Sequence, residues 1–236
     1  ELARWVERGV RGVVGNLEQL GAALAGAGDY DDDIRRLVAE SSSVQEILEE
    51  LVVLDARSAA DVLRPTFDAS GERDGFVCVD LPAAPADDAA ALLSEGIRMH
   101  RAIGRDNVLL RLPPTVEGCE ALTELISRGV SAAAGPIYGP AQHQPASAAY
   151  LHGLEQRVGR AEPVSSIASI ACIEVGAVDT AVARRLRERA LSTPGSERDP
   201  SRGAALALVR RVLAESQEIE STPRHHKVAS GGASPQ

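Results

Sequence analysis

Lysine is almost missing from this chain of 236 residues: 24 of its 25 basic side chains are arginine, and Lys227 is the exception. A guanidinium stays protonated and has no lone pair to offer, so chemistry that needs a neutral amine rests on Lys227 alone. The bias, together with alanine-rich helical stretches, fits the coding preference of a GC-rich bacterial genome. Cysteine is scarce as well. Cys78, Cys119 and Cys172 stand far apart and match no zinc spacing, and an odd, small count fits a reducing cytosol. No run approaches the ~18 apolar residues of a membrane span, and the opening ELARWVERG is charged where a signal peptide would be apolar. Basic clusters free of interleaved acid are absent and the net charge is −9, which excludes a surface built to neutralise nucleic-acid phosphates. The five histidines fall into no metal-ligand pattern. The expectation is a soluble, cytoplasmic chain, monomer or homo-oligomer, that binds a small molecule and uses no nucleic acid, membrane, metal or cofactor.

What is present is an alternation. The apolar fraction of 44% and charged fraction of 25% are those of an ordered globular domain, and the length suits one α/β barrel of roughly 250 residues. Residues 2–7 read as a helix stopped at Arg8-Gly9. Strand signals follow at 10–14, 76–80, 107–112, 130–134 and 167–175, with a short one at 227–230. Between them lie helices at 17–25, 30–40 with Asp29 as N-cap, 44–63 capped by Ser43, 87–103, 116–128, 142–158, 178–191 and 204–220. Arg64-Pro65 ends the fourth of these, because a residue before proline is pushed out of the helical region. Residues 192–203 read as an exposed loop and 231–236 as a flexible tail, leaving a single domain over 1–230. Strands alternating with helices imply a parallel sheet with right-handed crossovers, either doubly wound or closed into a barrel.

Three segments favour the barrel. Asp29-Tyr30-Asp31-Asp32-Asp33-Ile34 is followed by Leu63-Arg64-Pro65-Thr66-Phe67-Asp68-Ala69-Ser70 with Arg73-Asp74-Gly75-Phe76-Val77, and then by Asp106-Asn107-Val108-Leu109-Leu110-Arg111-Leu112-Pro113. In order and spacing these resemble transaldolases, above all the longer bacterial type that also occurs fused to an isomerase. The likeness runs from about Gly9 to Arg185, with Val178-Asp179-Thr180 a further match. It implies an α/β fold, a TIM (β/α)8-type barrel. Against that template the first and eighth strands have no counterpart, and the first residue sits inside a helix and is not methionine; the expectation is that these strands belong to a longer chain.

The same resemblance implies an altered chemistry. Transaldolases move a three-carbon ketol unit between sugar phosphates through a lysine Schiff base on the fourth strand, and the matching position here is Arg111. That substitution keeps the charge and removes the nucleophile. On the second strand the family's threonine, serine, asparagine and proline become Val14, Gly15, Asn16 and Leu17. The fifth strand's asparagine, threonine and serine become Ala133, Gly135 and Gly139, and the serine and arginine that hold the phosphate become Gly176 and Ala177. Losing such charge-assisted contacts together argues against a sugar phosphate. Asp80 replaces a glutamate, Tyr138 a phenylalanine, and Glu174 an inward-facing phenylalanine. Strand alternation puts Cys172 on the same face as Glu174.

The candidate catalytic residues are therefore Asp80, Arg111 and Glu174, converging at the C-terminal mouth of the barrel. Asn16, Ala133, Gly135, Tyr138, Cys172 and Gly176 would line the substrate. Arg111 with Glu174 reads equally well as a structural ion pair in a dead site. His100 and His152 read as solvated on helices, His143 as opening one, and His225-His226 as preceding the last strand. Three functions stay open. The first is a repurposed catalyst, acid/base or electrostatic, acting on a non-phosphorylated small molecule in specialised metabolism. The second is an inactive binding or scaffold barrel. The third is a true transaldolase with its Schiff base moved to Lys227, which would open the last strand on the face away from the site.

Overall fold

The computed structural model describes residues 1–26, 28–40, 43–81, 85–189 and 203–230. Among the described residues five strands, β1 (Gly12–Val14), β2 (Phe76–Asp80), β3 (Val108–Leu112), β4 (Ala132–Ile137) and β5 (Ser169–Ile173), form one parallel sheet. The helices are α1 (Leu2–Glu7), α2 (Leu17–Gly26), α3 (Asp31–Ala39), α4 (Val44–Ala69), α5 (Ala89–Ile103), α6 (Val116–Ser127), α7 (Pro140–Gly159), α8 (Val175–Glu188), α9 (Ala204–Glu220) and α10 (Pro223–Ala229). Among the described residues, none is long and apolar enough to cross a membrane.

The order across the sheet is β1-β2-β3-β4-β5, the order of the chain. A doubly wound sheet reverses at its switch point, so that alternative is excluded, and the progression matches the winding of a barrel wall. The sheet is also curled. Cys78 on β2 and Cys172 on β5 bring their sulfur atoms to 4.0 Å with β3 and β4 between them. In a flat sheet, three strand spacings would hold the two positions about 14 Å apart.

Alternation along the strands divides the packing in two. Val77, Val79, Val108, Leu110, Leu112, Ala132 and Ala134 face outward and share one core with Ala60, Leu63, Met99, Leu125 and Leu154 of α4, α5, α6 and α7. Phe76, Cys78, Leu109 and Ala133 face the concave side and form a smaller cluster with Phe67. These strands are apolar on both faces, as expected of a parallel sheet roofed by helices.

The turn from α4 into β2 fixes the floor of the concavity. Ser43 starts α4 with a reciprocal capping box to Glu46. The helix then continues through Pro65 to Ala69, six residues past the expected end. Proline forfeits one helical hydrogen bond, but tertiary contacts hold the final turn. Phe67 is buried and packs edge-on against Phe76 at 5.3 Å, and Arg64 binds Asp68 at 2.8 Å. Gly75 then reverses the chain at φ +83°, where an added Cβ would stand 2.5 Å from the Phe67 backbone nitrogen. The buried Asn107 amide donates to the carbonyls of Ala60 and Gly75 at 2.9 Å each, locking that turn to the start of β3.

Other sequence expectations need correction. Residues 227–230 form no sixth strand, because they close α10. Thr222 accepts a hydrogen bond from the His225 backbone at 3.2 Å and Pro223 occupies the first turn, a helix-start signal that outweighs the short apolar run. β5 stops at Ile173, and α8 begins at Val175 rather than 178, so Glu174 is the N-cap of α8 and not a strand residue. β4 lies two to three residues later than read, at Ala132–Ile137. α5 begins at Ala89 rather than 87, with Asp88 as its N-cap accepting from Ala91 N at 2.9 Å. Tyr30 rather than Asp29 precedes α3, and no side chain caps it. His100 is half-buried, and burial lowers its pKa. The expected loop 192–203, apart from Gly203 at the start of α9, and the tail 231–236 lie outside the described residues.

The α4–β2 turn generates a test. Gly75→Ala places a side chain at positive φ and against the Phe67 backbone, so stability should fall by on the order of 3 kcal/mol. Urea denaturation monitored by circular dichroism measures it; an unshifted midpoint would contradict this packing.

Candidate active site

The register of the sheet makes Asp80 and Arg111 direct neighbours on β2 and β3. Both follow the parity of Cys78 and Leu109 and so face the concave side. The two side chains meet as a fork: Arg111 Nε donates to Asp80 Oδ1 at 2.6 Å and Nη2 to Oδ2 at 2.8 Å. Nη2 also reaches the Gly15 carbonyl just beyond β1, at 3.4 Å. The side chains are 11% and 24% exposed, so the pair is mostly but not wholly out of water. The hydrogen bond to Asp80 raises the Arg111 pKa still further, making it a fixed cation.

Room for that arginine comes from Gly135 on β4. A Cβ there would lie 2.7 Å from Cys172 Cβ and 3.3 Å from Arg111 Cδ. Ala133, fully buried, sits two residues lower on the same face beside Leu109. Arginine at 111 and glycine at 135 are therefore one steric arrangement.

Cys172 extends the cluster. Its sulfur lies 4.0 Å from that of Cys78. The hydrogen bond with Cys78 is the strongest influence, and with the Arg111 charge it brings the Cys172 thiol down to about 7 against the opposing effect of burial. Cys78 moves up, through the same hydrogen bond and its own burial.

The remaining sequence candidates are placed differently. Asn16 follows β1 and, with Gly15, Cys78 and Asp80, lines a cavity of about 600 Å³ at the β1 edge. Glu174 is half-buried at the start of α8, its backbone N–H donating to Ile137 O at 3.0 Å. Among the described residues it forms no ion pair with Arg111, which is engaged by Asp80 instead. Gly176 is exposed in the first turn of α8, and Tyr138 is 50% exposed beyond β4 with its backbone N–H on Gln142 Oε1. Lys227 is exposed on α10, in the helical layer. The structure thus groups Asp80, Arg111, Gly135 and Cys172, with Asn16 alongside.

Sequence reasoning missed three participants. Cys78 was legible by parity, two residues before Asp80 on one strand face. Tyr30 and Asp55 line the 600 Å³ cavity, the Tyr30 hydroxyl donating to Asp55 Oδ2 at 2.8 Å. Burial first, then Asp55, pushes the Tyr30 pKa up to about 12, and burial raises Asp55. No pattern in the sequence joins these two. His143 lies outside the site, buried between α7 and α9 with Ser147 and Ser216 on its Nε2 at 3.2 and 3.3 Å.

Comparison with known proteins adds a family context. Residues 1–230 match the family described as Transaldolase/Fructose-6-phosphate aldolase. The chain is similar to a transaldolase of Trichodesmium erythraeum, 30% identical over 235 residues, 98% of this chain and 62% of that protein. It is 33% identical to a Saccharopolyspora erythraea transaldolase over 227 residues, 96% and 60% of the two chains. A Thermobifida fusca transaldolase is 33% identical over 230 residues, 98% and 62%. The chain spans about three fifths of the length of these curated relatives.

Two measurements probe the geometry. Asp80→Asn or Arg111→Met leaves a half-buried charge without its partner, and each should cost about 2–3 kcal/mol in urea denaturation. The joint change should cost less than the sum, by at least ~1 kcal/mol; strict additivity would mean that the fork carries no coupling. Separately, alkylation follows the thiolate fraction, which grows with pH. Iodoacetamide labelling of Cys172 should therefore rise with a midpoint near 7, ahead of Cys119, whose thiol is pushed up by burial. Peptide mass spectrometry reads both sites, and a Cys172 midpoint at or above that of Cys119 would refute the assignment.

Proposed function

Because the chain belongs to the transaldolase/fructose-6-phosphate aldolase family, we propose that it is a divergent barrel of that family whose pocket has left Schiff-base chemistry. In this reading it acts by electrostatic or acid/base means on a non-phosphorylated small molecule. The five strands are read as part of an eight-stranded barrel over one domain, with the free sides of β1 and β5 continued by further strands. The observation that carries the reading is the Asp80–Arg111 fork. A permanent guanidinium stands on the concave face, and the only lysine of the sequence is exposed on α10.

The roles follow from chemistry. Arg111 is the electrostatic centre, stabilising a carboxylate or a developing oxyanion above the fork. Asp80 is its positioning partner, holding the guanidinium plane in one orientation. Glu174, at the start of α8, is the proton carrier of the mouth, acting through water or on a substrate bound between it and Arg111. Asn16, Tyr138, Cys172 and Gly176 form the surrounding surface, while Ala133 and Gly135, both buried, shape the floor beneath it. Gly176 in the first turn of α8 supplies no side chain to hold a phosphate, which supports a non-phosphorylated ligand.

A second reading, an inactive binding barrel, is favoured by one feature of the same pair: Asp80 and Arg111 satisfy each other's charge. Ligand-dependent melting identifies the ligand, and turnover of that ligand separates the two. A panel of non-phosphorylated keto and hydroxy acids should raise the melting temperature of the wild type and leave Arg111→Met unmoved, while fructose 6-phosphate should shift neither protein. Borohydride with dihydroxyacetone should leave the protein mass unchanged. A reduced adduct at Lys227 would overturn the proposal, and a ligand that raises the melting temperature but is not turned over would favour the inactive barrel.

A further inference from the structure

We propose that Cys172 and Cys78 form a peroxide-reactive dithiol, in which Cys172 attacks the oxidant and Cys78 resolves the product to a disulfide. The inference is independent of the ligand proposed above. Its basis is placement: two thiols from β2 and β5, distant in sequence, lie with sulfurs 4.0 Å apart on the concave face. They are not equivalent. Cys172 is half-buried towards the mouth, and Cys78 is 2% exposed beneath it. The charged groups facing the pair are Arg111, which favours the Cys172 thiolate, and Asp80, which opposes it; the guanidinium also hydrogen-bonds Cys172. Gly135 has no side chain to cover the Cys172 β-carbon.

The chemistry balances with hydrogen peroxide as the oxidant. The Cys172 thiolate attacks one peroxide oxygen, so an S–O bond forms and the O–O bond breaks. The departing hydroxide takes a proton to become water, leaving a sulfenic acid on Cys172. Cys78 loses its proton and attacks that sulfur; an S–S bond forms, the S–O bond breaks, and the hydroxyl leaves as a second water. Two thiols have given two electrons to one peroxide. Closing the bond requires the sulfurs to approach by about 2 Å, a movement that side-chain rotation about Cα–Cβ can supply.

Cys119, on α6, is the internal control, being neither paired with another cysteine nor on the concave face. The reduced protein is treated with one equivalent of hydrogen peroxide, blocked with iodoacetamide and digested without reductant. The expected result is a mass loss of about 2 Da before blocking, one cross-linked peptide pair containing Cys78 and Cys172, and an alkylated Cys119. Cys78→Ser should arrest at the sulfenic acid, trapped on Cys172 by dimedone. Cys172→Ser should slow thiol loss by at least ~10-fold. Three free thiols after treatment, oxygen adducts on Cys172 without the cross-link, or a cross-link through Cys119 would each overturn the proposal. The wild-type peptide map decides the matter even where a variant fails to fold.

Discussion

The fork between Arg111 and Asp80 is the interaction on which the concave face depends. Two adjacent parallel strands place a guanidinium and a carboxylate side by side in one register, and neither group tolerates that environment alone. Their union lets a charged pair sit where the neighbouring strand positions hold Leu109, Ala133 and Cys78. It also sets the volume above: the arginine stem and Cys172 together fill the space over Gly135. The electrostatics of Cys172 follow from the same pair, since the guanidinium faces the thiol while its charge is shared with Asp80.

The floor under this arrangement is aromatic and backbone-driven. Phe67 arrives from the last turn of α4 and meets Phe76 at the foot of β2. Gly75 and the buried Asn107 amide hold the turn that makes the meeting possible. The smaller concave core is thereby anchored at one end by tight packing, while polar groups occupy the other end.

Much of this was legible in the sequence, for identifiable reasons. β2 and β3 were placed to within one residue because fully buried parallel strands read as apolar runs bounded by turn signals. Asp80 and Arg111 stand out through the family resemblance, and strand parity puts them on one face. The failures have a different origin. Pro65 inside α4 and the helical 223–229 segment were decided by packing and capping, which a local propensity reading weighs too lightly. Glu174 reads as a strand residue in the sequence, but β5 ends one residue earlier, and that single residue exchanges a side chain fixed by strand alternation for a helix cap. The Cys78–Cys172 approach depends on how far the sheet curls, a quantity no local pattern encodes.

That the strands lie in the order in which they are threaded has a consequence for assembly. No strand must be inserted between two already in place, so the sheet can grow from any paired nucleus by adding strands at its rims. The entropy lost in closing each loop rises with the intervening length. The β3–β4 pair, which joins Leu110 to Ala132 across the single helix α6, is the least costly to close. The pairing of Gly12 with Phe76 spans three helices and is the most costly. The middle of the wall, bearing Arg111 on one strand and Gly135 on the next, is thus the part that topology lets the chain find first.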